Sequence, residues 1–163
     1  MITITELKDL NFAERLIIIS VRLWVKAFKS NICTISKVRY LFTAAGITGA
    51  TVTLDAIMRF VTVKAKTKIE INCPSYKGVS LDENRFLGAI AIWEHDHKKE
   101  KAEWLIRNWL THDDNAQVQK LFAVLAYELK DAQILIRPRD WLINGSINPA
   151  PSTPIAQQSL FRH

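Results

Sequence analysis

The sequence predicts a mainly α-helical fold, with about six helices in an antiparallel or orthogonal bundle and a minor sheet of two or three strands. Apolar residues recur at intervals of three and four along most of the chain, as they do on the buried face of a helix. Two capping-box patterns mark helix starts. Short stretches at 1–5, 68–72 and 134–137 have the periodicity or apolar content of strands, and the first is expected to pair back onto the middle of the chain.

Three helices are predicted in the first half of the chain. Asn11 is a favourable N-cap, and Glu14, three residues later, can accept a hydrogen bond from the N-cap amide, so this pair predicts a helix start. Gly46 marks a helix end, because the residue after a helix often takes a positive φ angle that glycine adopts without strain. The apolar spacing between such signals gives helices at 12–29, about 36–45 and about 51–65.

The second half contains the clearest boundary signal in the chain. Ser80 and Glu83 have capping-box spacing, and acidic residues in a first turn suit the positive end of the helix dipole. The helix that they open is predicted at 81–95. A polar break follows at 95–97, where Asp96 can cap a fifth helix that ends at about residue 110. Asp114 is the predicted start of a sixth helix, which ends at about residue 130.

The length of 163 residues fits one domain that can bury a core without metals or disulfides. Apolar residues make up 48% and charged residues 23% of the chain, which is ordinary for a globular protein. From Asn144 onward the composition turns to Asn, Gly, Ser, Pro and Gln. We therefore predict a single helical domain at 1–143 and a disordered polar, proline-containing tail at 144–163.

Targeting signals and cysteine content indicate in which cellular compartment the protein is expected. No apolar run reaches the roughly 18 residues that a membrane span needs, and the closest, 16–28, is interrupted by Arg22 and Lys26. Early acidic residues argue against a secretory or mitochondrial leader. Cys33 and Cys73 have no metal-ligand spacing and are expected to be small buried residues in a reducing compartment. These observations predict a cytoplasmic protein without a transmembrane segment.

The net charge of +6 is unevenly distributed. Residues 1–79 hold 12 Lys and Arg against 5 Asp and Glu, a net +7, whereas residues 80–163 carry a net −1. A basic half suits a negatively charged partner, such as nucleic acid, a lipid surface or an acidic protein. A solvated surface that only maintains solubility has the same composition.

Basic residues of the first helix fall within about 60° of one another at 100° per residue, opposite a broad apolar face that includes Phe12, Trp24 and Phe28. Three interpretations follow. The stripe is the solvated edge of a central bundle helix, or the helix lies on anionic lipid with Trp24 and Phe28 submerged, or the stripe binds phosphates. The candidate residues for binding an anion or a partner are Arg15, Arg22, Lys26, Lys29, Lys37 and Arg39, extended by Arg59.

Two further sets of residues are candidate sites. Histidines and acidic residues cluster at two predicted turns, and convergence of those turns would place His95, His97, His112 and Asp113 around a metal ion. Polar capping at helix ends is the alternative interpretation of that cluster.

Trp104 lies about 140° from Trp109 on its helix, so the two rings cannot both face the same side of the core. Trp104 and Trp141 are therefore candidate interface residues, and a broad buried face is the alternative.

The sequence contains no recognisable catalytic pattern. No nucleophile elbow or marked acidic pair is present, and the segment 46–50 lacks the Lys-Ser/Thr pair of a phosphate-binding loop. No cofactor is predicted. The expected function is that of a non-catalytic adaptor, regulatory or assembly subunit that acts through contact with a protein partner or with its own copies. The alternatives are a nucleic-acid-associated protein that binds phosphates through its basic half, a peripheral membrane protein, and an enzyme with an unrecognised helical active site.

Overall fold

A computed structural model describes residues 5–139 of the chain. In this range the chain forms six α-helices and one antiparallel pair of two-residue strands, so the prediction of a mainly α fold with a minor sheet is confirmed. The helices are α1 (Phe12–Lys29), α2 (Ile35–Ala44), α3 (Ala50–Lys64), α4 (Leu81–His95), α5 (Lys99–Leu105) and α6 (His112–Asp131). The strands are β1 (Thr5–Glu6) and β2 (Gly78–Val79). The described residues do not include 1–4, which form most of the first predicted strand, nor 140–143 of the predicted domain, nor the predicted tail, 144–163.

Helix α6 is the most central of the closing helices, because it packs against both α3 and α4. Helix α1 packs mainly on α2 and contacts α4 and α3, and α5 covers parts of α4 and α6. One large apolar cluster runs through the interior, with Trp24, Phe42, Trp109 and Phe122 fully buried. None of the helices in the described range is both long enough and apolar enough to cross a membrane.

The predicted caps form as expected. Asn11 Oδ1 accepts the Glu14 amide at 2.8 Å, and Glu14 Oε1 accepts the Asn11 amide at 2.9 Å. The second capping box joins Ser80 and Glu83 through bonds of 3.0 and 2.9 Å. Gly46 has a φ of 79° and follows α2, as its identity predicted. The two N-caps satisfy amides that have no partner within the helix, whereas at the end of α2 the Gly46 amide donates to the Thr43 carbonyl at 3.0 Å.

The predicted bounds of the last two helices are wrong. Helix α5 ends at Leu105, and tighter turns follow, in which the Arg107 amide donates to the Trp104 carbonyl at 3.3 Å and the Trp109 amide donates to the Ile106 carbonyl at 2.9 Å. Thr111, and not Asp114, is the N-cap of α6, since the Thr111 hydroxyl accepts the Asp114 amide at 3.2 Å. Asp114 occupies the N3 position, where an acidic side chain also favours a helix N-terminus.

The strand predicted at 68–72 is wrong. The amide of Glu70 donates to Asp82 Oδ2 at 2.8 Å, and the amide of Asn72 donates to Glu83 Oε2 at 3.0 Å. These carboxylates lie in the first turn of α4, and they take the place of a neighbouring strand as acceptors for the segment. Thr5 and Glu6 do pair with the middle of the chain, but with Val79 and Gly78 and not with residues 68–72.

The strand predicted at 134–137 is wrong for the same physical reason. The Ile136 amide donates to Glu94 Oε1 at 2.8 Å, and the Arg137 amide donates to Glu14 Oε2 at 2.9 Å. Both carboxylates belong to fully or almost fully buried side chains, on α4 and α1 respectively. The segment is therefore fixed across the bundle by side chains and not by a sheet.

Candidate functional site

Arg22 is not part of an exposed anion-binding stripe, which corrects the sequence prediction. Its side chain is 1% exposed. The guanidinium donates to both carboxylate oxygens of Glu83, at 2.8 and 2.9 Å, and to the carbonyls of Tyr76 and Gly78, at 2.8 and 2.6 Å. A group that is buried and bonded in this way has no donor to offer to a phosphate.

The other basic residues of the predicted set are exposed on α1 and α2. They are Arg15, Lys26, Lys29, Lys37 and Arg39. The sequence has no Asp or Glu between Glu14 and Asp55, so the chain that carries these five cations has no carboxylate of its own. Phe12 and Phe28, predicted to face the core, are 62% and 40% exposed. The solvent-facing side of α1 therefore mixes cations with aromatic rings.

Four of these cations lie close together along the chain at the α1–α2 corner, which we define as residues 26–40. The corner comprises the end of α1, the connecting loop and the first part of α2. Its exposed apolar side chains are Phe28, Ile32 and Tyr40, of which Tyr40 is 76% exposed. Exposed cations and exposed apolar side chains therefore occur together within residues 26–40.

A polar cluster beneath the corner fixes its geometry. Asp55, on α3, accepts hydrogen bonds from Trp24 Nε1 at 2.7 Å, from the Thr34 hydroxyl at 2.9 Å and from Arg59 Nε at 3.0 Å. Arg59 Nη2 also donates to the Thr34 hydroxyl at 3.0 Å. One carboxylate thus connects α1, the α1–α2 loop and α3, and it holds the exposed Arg59 side chain in place. Partial burial raises the pKa of Asp55, but these hydrogen bonds outweigh that effect and hold the pKa below its ordinary value.

An aromatic stack leads from the core to the surface of the corner. Trp24 is fully buried, and Phe28 lies parallel to it, with ring centroids 5.1 Å apart. The Arg59 guanidinium lies 5.9 Å from the centroid of the Trp24 ring, within cation–π range. Because Trp24 is buried in the protein, it cannot enter lipid. One of the two rings that the membrane interpretation places in lipid is therefore not available for that contact. Phe28 is the part of the stack that solvent or a ligand can reach.

Cys33 lies exposed in the corner, although the sequence predicted that it would be buried. A hydrogen bond from the Ser36 side chain, with further bonds from the amides of Ile35 and Ser36, lowers the pKa of the Cys33 thiol below its ordinary value. Cys73 is partly covered.

We expect iodoacetamide at neutral pH to alkylate Cys33 several times faster than Cys73, because the thiolate is the reacting form and Cys33 is more accessible. Peptide mass spectrometry over time measures both rates in one sample. The Ser36→Ala variant removes the first of the bonds to the thiol and should slow only Cys33. Equal rates at the two cysteines, or an unchanged Cys33 rate in Ser36→Ala, would contradict this prediction.

The candidate interface residue Trp104 is 38% exposed on α5. The Arg107 guanidinium lies over its ring at 3.7 Å from the centroid, and Arg107 Nη1 donates to the Trp104 carbonyl at 2.7 Å. The two side chains therefore form a partly exposed cation–π pair. The other candidate, Trp141, lies outside the described residues.

The candidate metal ligands are not brought together. His95 ends α4, where its Nε2 lies 2.8 Å from the Ile136 carbonyl, whereas His112 and Asp113 begin α6. His97 lies in the loop after α4 with a φ of 55°. Among residues 5–139, no group of three or more His, Cys, Asp or Glu side chains is placed to hold a metal ion.

The sequence did not indicate the Asp55 cluster, or that the buried carboxylates of Glu14, Glu83 and Glu94 accept hydrogen bonds from distant segments. The spacing of Asp55 and Arg59 does signal a pair four residues apart on a helix. Nothing local indicates that Trp24 and Thr34 point at the same carboxylate, since those contacts join residues from different elements.

No family model, curated protein or solved structure matches this chain.

Proposed function

We propose that this protein is a non-catalytic module that binds single-stranded nucleic acid through the α1–α2 corner. The observation that carries the proposal is the combination, on one stretch of surface, of exposed cations, exposed aromatic rings and a chain segment without carboxylates. Sequence-tolerant binders of single strands combine these features, because cations follow the phosphates and rings stack on the bases. A cytoplasmic location is part of the proposal.

The charge distribution supports phosphate contact. Lys26, Lys37 and Arg39 are exposed, and the chain has no acidic residue between Glu14 and Asp55 that could neutralise them locally. Asp55, the first carboxylate after the corner, is already engaged by Arg59. Exposed cations attract a polyanion, and each phosphate that they neutralise releases bound counterions.

The exposed rings support contact with bases. Phe28 is backed by the fixed indole of Trp24, so one edge of an ordered stack reaches the surface. Tyr40 projects from α2 beside Arg39 and one turn after Lys37. Stacking of a base on an aromatic ring contributes about 1–3 kcal/mol and tolerates any base. The Asp55 cluster would keep this surface in one conformation, which reduces the entropy lost on binding.

Contact with a protein is the second candidate function, and the Trp104–Arg107 pair favours it. Tryptophan and arginine are enriched among residues that dominate the energy of protein interfaces. Trp104 lies on α5 and Arg107 lies just after its end, both far from the α1–α2 corner in the chain, so the two candidates make different predictions for variants of each surface.

We expect the protein to bind oligothymidylate and oligouridylate with an affinity that falls steeply with salt. The Lys37→Gln/Arg39→Gln variant should bind more weakly. The plot of log K against log salt should also become less steep, by about 0.7 for each lost phosphate contact. Tyr40→Ala should weaken binding with little change in that slope, because stacking is not an ionic contact. Fluorescence anisotropy at several salt concentrations measures both quantities.

Matched controls are available on other parts of the surface. Lys98→Gln/Lys120→Gln removes the same charge from exposed positions, and Tyr127→Ala removes a ring that is 70% exposed on α6. Both should bind like the unmodified protein. Absence of binding at low salt, or equal losses in the corner variants and their controls, would overturn the proposal. Self-association that Trp104→Ala abolishes, without nucleic-acid binding, would favour the second candidate.

A further inference from the structure

The start of α4 and the end of α5 present a second group of cations and apolar side chains, far in the chain from the α1–α2 corner. We define it as the α4–α5 patch, which comprises Leu81, Arg85, Trp104 and Arg107. Leu81 is 42% exposed, and the two arginines are partly exposed. Leu81 and Arg85 are four residues apart on α4, so both side chains emerge on one face of that helix.

Asp82 connects the two parts of this patch. Its Oδ1 accepts hydrogen bonds from Arg85 Nη1 at 2.9 Å and from Trp109 Nε1 at 3.0 Å, and its Oδ2 accepts the Glu70 amide at 2.8 Å. The turn that carries Arg107 and Trp109 is therefore fixed against the first turn of α4. Burial lowers the pKa of Arg107, and the nearby charge of Arg85 lowers it further.

Arg107 is held in place but has no counter-ion. Its guanidinium is fixed by the Trp104 ring and by its bond from Nη1 to the Trp104 carbonyl. No other hydrogen bond and no ion pair joins this side chain to residues 5–139. The buried polar atoms without a partner in that range do not include its Nε or Nη2, so both donors are accessible. Nε and Nη2 form one edge of the guanidinium, which can donate two parallel hydrogen bonds to a carboxylate.

The charges around the patch favour a single carboxylate over a polyanion. The patch has two guanidinium groups and one carboxylate, that of Asp82, which is already bonded to three donors. Helix α5, which carries Trp104, also carries Glu100 and Glu103. These carboxylates repel the successive phosphates of a nucleic-acid strand, whereas a single carboxylate can bind the guanidinium that has no counter-ion.

We propose that the α4–α5 patch binds an acidic segment of a partner protein, in which a carboxylate lies next to apolar side chains. The carboxylate would accept from Nε and Nη2 of Arg107, and the apolar side chains would cover the exposed parts of Trp104 and Leu81. Tryptophan and arginine are the residue types that most often dominate the energy of such contacts. This proposal rests on the second candidate function, contact with a protein, and is independent of nucleic-acid binding at the α1–α2 corner.

The test follows the side-chain Nε–H resonance of Arg107 and the indole N–H resonance of Trp104 by NMR, in the full-length protein labelled with nitrogen-15. The blocked peptide acetyl-Leu-Glu-Leu-Glu-amide should produce saturable shifts of both resonances at millimolar concentrations. Acetyl-Leu-Gln-Leu-Gln-amide keeps the apolar side chains but has no carboxylate, so it should bind about tenfold more weakly. Absence of shifts with the first peptide, or equal affinities of the two peptides, would overturn the proposal.

Variants of Arg107 and Trp104 test the two proposed contacts one at a time. Arg107→Gln, followed at the Trp104 resonance, should bind the Glu peptide no better than the Gln peptide. Trp104→Ala, followed at the Arg107 resonance, should weaken the binding of both peptides. If Trp104→Ala fails to fold, as judged by thermal melting, Arg107→Gln still decides the question. Lys120→Gln, at an exposed position of α6, is the control that should bind normally, and a loss in it equal to that of Arg107→Gln would contradict the proposal.

Further outcomes separate this proposal from the two candidate functions. Lys37→Gln/Arg39→Gln should bind the Glu peptide normally, whatever its affinity for nucleic acid. If Trp104→Ala abolishes self-association but neither peptide binds, protein contact remains the function of this surface and the acidic segment is the wrong partner. If inorganic phosphate or oligothymidylate shifts the Arg107 resonance as strongly as the Glu peptide does, the patch does not select an acidic protein segment and the proposal is wrong.

Discussion

The Arg22→Met variant should lose about 3–5 kcal/mol of the free energy of unfolding. Arg22 and Glu83 are both fully buried, and their bonds of 2.8 and 2.9 Å compensate the loss of solvation of each charge. Methionine fills much of the same volume but leaves the Glu83 carboxylate buried beside uncharged groups. The carbonyls of Tyr76 and Gly78 also lose their donors. Urea denaturation followed by circular dichroism measures the change.

Two companion variants show whether the uncompensated charge is the cause. Arg22→Met/Glu83→Gln removes both charges and should recover part of the loss, since no ion of the pair then remains buried without a partner. Arg15→Met changes an exposed arginine of the same helix and should stay within about 0.5 kcal/mol of the unmodified protein. Equal stabilities of Arg22→Met and Arg15→Met would show that the buried pair has no such role.

The Glu94→Gln variant should be more stable than the unmodified protein above pH 7, by up to about 3 kcal/mol. Burial raises the pKa of Glu94 to about 7, against the opposing effects of the Ile136 amide, His95 and Lys130. In the unfolded chain the carboxyl group ionises near its ordinary pKa of 4.5. The folded state therefore binds more protons between pH 4.5 and pH 7, and the free energy of unfolding falls as the pH rises through that window.

Glutamine keeps an oxygen that can accept the Ile136 amide but cannot ionise, so this pH-dependent loss should disappear. Denaturation at several pH values gives the difference between the two proteins, which should be near zero below pH 4.5 and largest above pH 7. Glu100→Gln, at an exposed position of α5, should show no such trend. Parallel pH profiles for Glu94→Gln and the unmodified protein would contradict the assignment of a buried, proton-binding carboxyl group.

Helices were the predictable part of this fold because their signals are local. The caps Asn11 and Ser80 act on amides three residues away, and the observed starts of α1 and α4 agree with the predicted ones. The end of α5 was not predictable in this way. The residue after Leu105 is Ile106 and not a glycine or asparagine, and Ile106, Trp109 and Leu110 are buried, so the apolar spacing continues although the helix has ended.

The strand predictions at 68–72 and 134–137 failed because periodicity reveals that a segment is extended and half-buried, but not what accepts its amides. At Asn72 and Ile136 the acceptors are carboxylates of other elements, Glu83 and Glu94. The predicted basic stripe failed at Arg22 for a related reason. The local sequence identifies Glu83 only as a capping residue. Its ion pair with Arg22, 61 positions earlier, cannot be recognised from a single sequence.

The Arg22–Glu83 pair also has a consequence for how the chain can change over evolutionary time. A substitution of only one partner leaves the other as a buried charge without its counter-ion. The two positions are therefore expected to vary together. A distant relative should carry either both residues or an uncharged pair in their place. The covarying pair at positions 22 and 83 would therefore identify such relatives where overall identity is too low to do so.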